Sequence, residues 1–234
     1  MALKLETDGS RIDDAAADRL AVLAVQCVQI SVDGATAATH ERVRPGSSFA
    51  AATSAITRLV ERGQPPQFVF VPNRFNLHEI VAAFDLALAL GCVTFVTGPM
   101  MRIGRAAAAW DRIACDDADW ERAADALRER AASVGAGIAL SIYPWDIVTE
   151  MERRLESPQA MLLVVPNGKV KLLNALPFAP ADLRHQSIAQ AWHAYRDAWR
   201  APEVRDFIVR CRSETRLLGH ANETWPMGAD RGSG

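Results

Sequence analysis

The stretch Cys27-Val-Gln-Ile-Ser-Val-Asp-Gly-Ala35, continued by Thr39-His-Glu-Arg-Val-Arg44 and Gly46-Ser-Ser-Phe49, decides how this chain is read. β-Branched Val28 and Ile30 make its first half a buried strand, and Ser31, Asp33 and Gly34 end the run. The second half reads as a polar loop that feeds a helix starting near Ser47 or Ser48. α/β folds place their ligands at the C-terminal ends of parallel strands. A serine and an aspartate at such an end, with Arg42 and Arg44 following, make a small site for a zwitterion. The same Ser-x-Asp-Gly pattern also serves as a plain turn.

Working outward, residues 3–6 read as a short strand closed by Asp8-Gly9. Asp13 or Asp14 caps a helix over 15–23, with Leu20, Val22 and Leu23 on its apolar side. Residues 50–62 form a helix stopped by Gly63, and 68–71 a continuous apolar strand. Asn76 suits the N-cap of a helix over 77–90, with Glu79 placed as in a capping box. A strand over 93–97 and a loop over 98–105 follow, then a helix over 120–133 capped by Asp117 or Asp119. A fifth strand covers 138–142, and a short helix 145–155. Asn167-Gly168 between 161–165 and 169–173 predicts a hairpin with a type I′ turn. Helices over 187–199 and 203–217 close the chain, with disorder expected from about Pro226.

Strand and helix thus alternate about five times, and the strands read as apolar on both faces, which predicts a parallel sheet under a layer of helices. Five units are too few for a closed eight-stranded barrel of about 250 residues. The sheet is therefore open, or part of a barrel, and its free edges need a cover or a partner. The 234 residues, half of them hydrophobic, suffice for one large domain or a domain with a small appendage. A net charge of −2 offers no bulk attraction to nucleic acid. Apolar runs such as 80–90 are too short to span a bilayer, and the start reads as strand rather than signal peptide. A cytoplasmic protein without a membrane partner is expected. Cys27, Cys92, Cys115 and Cys211 are far apart, with no Cys-x-x-Cys spacing; Cys27 and Cys92 read as small hydrophobes. The five histidines are scattered, and His40 reads as part of a solvated loop.

Taken in order, these segments resemble radical S-adenosylmethionine (radical SAM) enzymes that carry a SPASM or twitch extension. Leu5-Glu-Thr-Asp-Gly9 resembles that family's third strand, and Val28-Gln-Ile-Ser-Val-Asp-Gly34 its fourth, with residues 39–44 and 46–49 as the continuation. Val71-Pro-Asn-Arg-Phe-Asn76 resembles the fifth strand and its asparagine, and Ile103-Gly-Arg-Ala106 the sixth. Pro166-Asn-Gly-Lys-Val170 resembles the SPASM hairpin; Asp182-Leu-Arg, Ser187 and Trp192 resemble the segment after it. The order, more than any one motif, carries the likeness, which runs over about residues 3–225. It is strongest to maturases of ribosomal peptides and peptide-derived cofactors, such as the pyrroloquinoline quinone maturase, and to heme-modifying members.

The resemblance implies a partial (β/α) barrel over 1–156, a degenerate SPASM/twitch-like extension over 157–225 with its β-hairpin and helices, and a tail over 226–234. It implies SAM as cofactor, and for the family a [4Fe–4S] cluster held by a Cys-x-x-x-Cys-x-x-Cys loop. That loop and the glycine-rich loop that grips SAM are missing here, and Leu172, Leu173 and Asn174 stand where relatives carry extension cysteines. The cluster is therefore not ligated by this chain, and no catalytic or metal-binding residue is assigned. By the same analogy Ser31 and Arg44 contact the carboxylate and ribose of a weakly bound SAM, while Asp33 fixes the loop. Asn76 reaches the ribose or only caps its helix; Gly104 lets backbone approach the adenine; Arg105 bridges to the following helix.

Three functions remain open. The chain is the C-terminal portion of a radical SAM enzyme of peptide or cofactor maturation, whose N-terminal part is encoded separately or lost through a false start site. Or it is a non-catalytic degenerate fold that serves a maturase or a peptide as a binding subunit. Or it is an unrelated α/β protein in which Ser31 and Asp33 are turn residues.

Overall fold

The structure, a computed structural model, describes residues 3–23 and 25–227. It forms two compact units: Met1–Met100 with Ile113–Pro144, and Met101–Arg112 with Trp145–Gly234.

The first unit alternates β1 (Leu3–Thr7), α1 (Asp14–Val22), β2 (Val25–Ser31), α2 (Ala37–Val43), α3 (Phe49–Glu61) and β3 (Gln67–Val69). A 3-10 turn (Leu77–Glu79) then leads into α4 (Ile80–Ala89) and β4 (Thr94–Thr97). Beyond α5 (Gly104–Ile113) come α6 (Asp117–Val134) and β5 (Ala139–Ile142). Among the described residues the five strands make one parallel sheet in the order β1-β2-β3-β4-β5. Right-handed crossovers in a sheet built in sequence order all fall on one face. The strand side chains on that face are Val28, Ile30, Phe68, Phe70 and Phe95, all buried against α3, α4 and α6. Phe95 lies at its centre, 5.5 Å from Phe68 and 5.6 Å from Phe84 by ring centroids.

The expectation of strands apolar on both faces holds only in part, with Val69 and Val96 on the second face of β3 and β4. Glu6, Gln29, Ser31, Gln67, Thr94 and Ser141 alternate with the buried set and remain half-buried or exposed. Gln29 Nε2 donates to Gln67 Oε1 across this second face (2.6 Å). The sheet is therefore covered on one side, and its other face mixes these polar residues with Cys27, Val69, Val96 and Ala139.

Several local expectations also change. Asp13 caps α1 as predicted, but Val22 and Leu23 face solvent, and Ala17 is the buried residue. The polar loop after β2 contains α2, capped by the Thr36 hydroxyl. Ser48 caps α3, while Asp116, rather than Asp117 or Asp119, caps α6. The stretch expected to be loop up to Arg105 already turns helical at Gly104.

The second unit contains α5, α7 (Ile147–Glu156), β6 (Leu163–Val164), β7 (Lys169–Lys171), β8 (Phe178–Ala179) and β9 (Ala181–Asp182). α8 (Ile188–Ala198), α9 (Pro202–Cys211), a 3-10 stretch (Thr215–Asn222) and β10 (Trp225–Pro226) complete it. β6, β7 and β9 form an antiparallel ladder, and β8 pairs with β10. The hairpin at Asn167-Gly168 forms, but with a different turn. Gly168 N donates to Val165 O, Pro166 follows at the second turn position, and Gly168 alone has positive φ (80°). This is a type I turn closed by a left-handed glycine; type I′ would need positive φ at Asn167 too. Ser187 and Gln190 form a capping box on α8. Tyr195, Trp199, Phe178, Phe207 and Ile208 make the core of this unit. Pairing of β10 with β8 orders Pro226, where the disordered tail was expected to begin; residues 228–234 lie outside the described residues. Among the described residues no helix is long and apolar enough to cross a membrane.

Candidate functional site at the end of β2

β2 delivers Ser31 to the open face of the sheet, half-buried, with no hydrogen bond to its hydroxyl among the described residues. The chain continues along β3 through Val32 N to Val69 O (2.9 Å) and then turns at Asp33. Asp33 is buried, with 3% of its surface exposed. One carboxylate oxygen accepts from Val71 N (2.8 Å), the other from Arg44 Nε at the end of α2. Asp33 thus ties the ends of β2, β3 and α2 together and holds Arg44 in one orientation, with a third of that side chain exposed.

His40 sits under this corner, fully buried. Its Nδ1 accepts from Asp33 N (3.0 Å), so the ring proton is on Nε2, which donates to Ser47 Oγ (3.1 Å). Burial pushes the imidazole pKa below its usual 6.5, and the neighbouring Asp33 only partly offsets this. Gly34 is required by the same packing, because a Cβ there would lie 2.6 Å from His40 N.

Asn76 does not cap a helix. Its Nδ2 donates to Asp33 O (3.1 Å) and Val71 O (3.0 Å), and its Oδ1 accepts from Asn73 N (2.7 Å). Glu79 likewise serves no capping box. It accepts from Ala35 N (2.7 Å) and from the Thr39 hydroxyl (2.6 Å), pinning the start of α2. Burial opposes its charge, but the bonds from Thr39, Ala35 and Thr36 prevail and hold its pKa below the ordinary range.

The structure therefore brings Ser31, Asp33, Arg44 and Asn76 to one strand-end corner. Gly104 and Arg105 belong to the second unit. Gly104 there has φ of 52° and packs so closely that a Cβ would meet Asn222 Nδ2 at 2.6 Å, while Arg105 is exposed. Sequence reasoning missed His40 and Glu79. The signal was Thr36, whose capping of α2 makes the supposed loop a helix with an inward face.

Two cofactors of the resemblance fare differently against these residues. Iron ligation needs thiolates gathered at one point. Burial pushes the thiols the other way, to about 12 at Cys92 and about 11 at Cys115 and Cys211. Among the described residues no three His, Cys, Asp or Glu side chains gather to hold a metal ion. The residues present do not fit a [4Fe–4S] cluster. They do fit the polar end of a zwitterion: an unengaged Ser31 hydroxyl and a pre-oriented, partly exposed Arg44 offer donors for a carboxylate. Asp33, His40 and Asn76 have their bonding capacity occupied by the corner itself, so they build the site rather than transfer protons.

In sequence and in fold the chain is similar to radical SAM maturase-like proteins. It is 24% identical over 213 residues to the AdoMet-dependent heme synthase of Methanosarcina barkeri, covering 80% of this chain and 59% of that protein. It is 34% identical over 112 residues to the mycofactocin maturase MftC of Mycobacterium ulcerans, covering 47% and 30%. Among solved structures it is similar in fold to Streptococcus suis SuiB. SuiB bound to the precursor peptide SuiA matches with a TM-score of 0.66 at 10% identity, over 81% of this chain and 47% of that one. SuiB bound to S-adenosylmethionine matches with a TM-score of 0.63 at 12% identity, over 94% and 53%. No family model matches the chain. The chain spans about half the length of the relatives it matches, or less.

Proposed function

We propose that this chain is the SAM-carboxylate and substrate-facing portion of a radical SAM maturase acting on a peptide or peptide-derived cofactor in the cytoplasm. On this reading the parallel sheet is part of a (β/α) barrel, and the β6–β7 hairpin is a SPASM/twitch-like extension without its cluster. The observation that carries the proposal is a pairing of features. Ser31, Asp33, Arg44 and Asn76 share one strand-end corner, while the cysteines are dispersed, with Cys92 and Cys211 buried and Cys27 and Cys115 half-buried. Ser31 donates its hydroxyl proton to the SAM carboxylate. Arg44 adds charge, and Asp33 and Asn76 keep both at fixed distance from the sheet. The cluster ligands are not among the described residues, and on this reading those residues do not cleave SAM by themselves. On the open face of the sheet Gln29, Gln67, Thr94 and Ser141 offer groups suited to peptide amides, between Val69 and Val96. The complex of SuiB with its precursor peptide supports a peptide as substrate.

A second reading, a non-catalytic subunit for a maturase or peptide, is favoured by one feature. Among the described residues β1 pairs only with β2, so its outer edge is free for strand addition.

Calorimetric titration with SAM tests the first reading. Binding is expected, and Ser31→Ala weakens it by about tenfold, the cost of one charge-assisted hydrogen bond. After anaerobic treatment with iron, sulfide and a reductant, the chain alone yields no 5′-deoxyadenosine. Addition of a chain bearing the cysteine loop restores turnover. Cleavage of SAM by the isolated chain refutes the division of labour; no SAM binding, with retained affinity for a maturase, selects the second reading.

A further inference from the structure

Lys171 ends β7 in the second unit, and only 3% of its surface is exposed. No carboxylate pairs with it among the described residues. Its ammonium donates to the carbonyl oxygen of Ala221, and two further N–H donors remain. Burial pushes its pKa below the usual 10.5. A buried cation held by a single carbonyl is costly, and an anion close by removes most of that cost.

The space for one is present. Lys171 lines a cavity of about 440 Å³, the size of a site for a small metabolite or one or two peptide residues. Its walls include Asn167, Asn174, Asn222 and Thr224, and Lys171 is the sole charged residue among them. Asn167 Oδ1 already accepts from Lys169 N (3.2 Å), so its amide nitrogen is the part left to bind. A lining with one cation, three exposed asparagines and no acid, beside Leu163, Val165, Pro166 and Ala221, is complementary to a carboxylate on an apolar stem.

We propose that this cavity is a carboxylate-binding site, with Lys171 as its charged anchor and the asparagine amides as secondary donors. The ligand is either a free small dicarboxylic acid or a glutamate or aspartate side chain of a peptide. The site lies wholly within the second unit, so it stands whether or not the strand-end corner of the first unit binds SAM.

Glutarate and two peptides, acetyl-Gly-Glu-Gly-amide and its Gln counterpart, are titrated into the full chain by calorimetry and thermal melting. Glutarate or the Glu peptide binds and raises the melting temperature, and the Gln peptide binds about tenfold or more weakly. Glutarate alone identifies a metabolite site; the Glu peptide alone identifies a peptide site. Lys171→Met abolishes the response and melts no lower than the ligand-free protein, because it removes an unpaired buried charge. Asn174→Asp, at an exposed position, places a carboxylate on the cavity wall. It raises the ligand-free melting temperature and lowers glutarate affinity by a similar factor. The proposal is overturned if Glu and Gln peptides bind equally, or if neither carboxylate probe binds the wild type. It is overturned too if Asn174→Asp leaves affinity unchanged, or if Lys171 reacts with an aldehyde and borohydride while ignoring both carboxylates.

Discussion

At the scale of single residues, the corner after β2 is held by side chains that spend their polar groups on the backbone. His40 is the most sensitive of them, since its hydrogen bond from Asp33 N requires an unprotonated Nδ1. Burial lowers its folded-state pKa, whereas in the unfolded chain it titrates near 6.5. Its contribution to stability is therefore complete above pH 6.5 and is lost as the pH falls toward the lower folded-state value. Denaturant midpoints measured from pH 7.5 to 5 are expected to drop across this window, and His40→Gln to flatten that part of the slope. An unchanged slope would remove His40 from the account. The placing of Ser31 and Asp33 at the end of a strand was legible in the sequence, from the β-branched Val28 and Ile30 that precede them. Asn76 was not. Its spacing to Glu79 suits a cap, and its real partners, the carbonyls of Asp33 and Val71, come together only when β2 and β3 lie side by side.

At the scale of elements, the Val28-Gln-Ile-Ser31 alternation was visible, yet the strands read as apolar on both faces because Phe68 to Val71 is an unbroken apolar run. Register shows the mixture: Gln29 stands beside Gln67 and Ile30 beside Phe68, while Ser31 stands beside Val69 on the same face as the glutamines. Phe95 is the keystone of the other. Phe95→Ala removes the ring packed against Phe68, Phe70 and Phe84 and is expected to cost about 3–5 kcal/mol. Urea denaturation checks this; a loss under about 1 kcal/mol would mean that the helix layer collapses into the space. The hairpin at Asn167-Gly168 was legible in place but not in turn type. Pro166 fixes φ at the second turn position and selects the type I form, a constraint outweighing the Asn-Gly preference.

At the scale of the whole molecule, order along the chain was the legible part: strand and helix alternate as read, and β1 lies at the sheet border as an open sheet requires. The membership of the two units was hidden. α5 groups with residues after Trp145, although it lies between β4 and α6 in sequence. Such a choice rests on which apolar surfaces meet, and spacing within one stretch does not encode it.

The side of β1 that has no partner strand among the described residues also governs how the chain behaves in crowded solution. Its amides and carbonyls are a template for any extended strand, a second copy included, and Lys4 and Glu6 decorate that strand with opposite charges. Two copies meeting edge to edge with strands reversed align each lysine with a glutamate, so charge fails to keep them apart. Light scattering at raised protein concentration is expected to report growing assemblies, and Glu6→Lys, which gives the border a single sign, to disperse them. The cationic variant would then be the form to carry into concentrated samples.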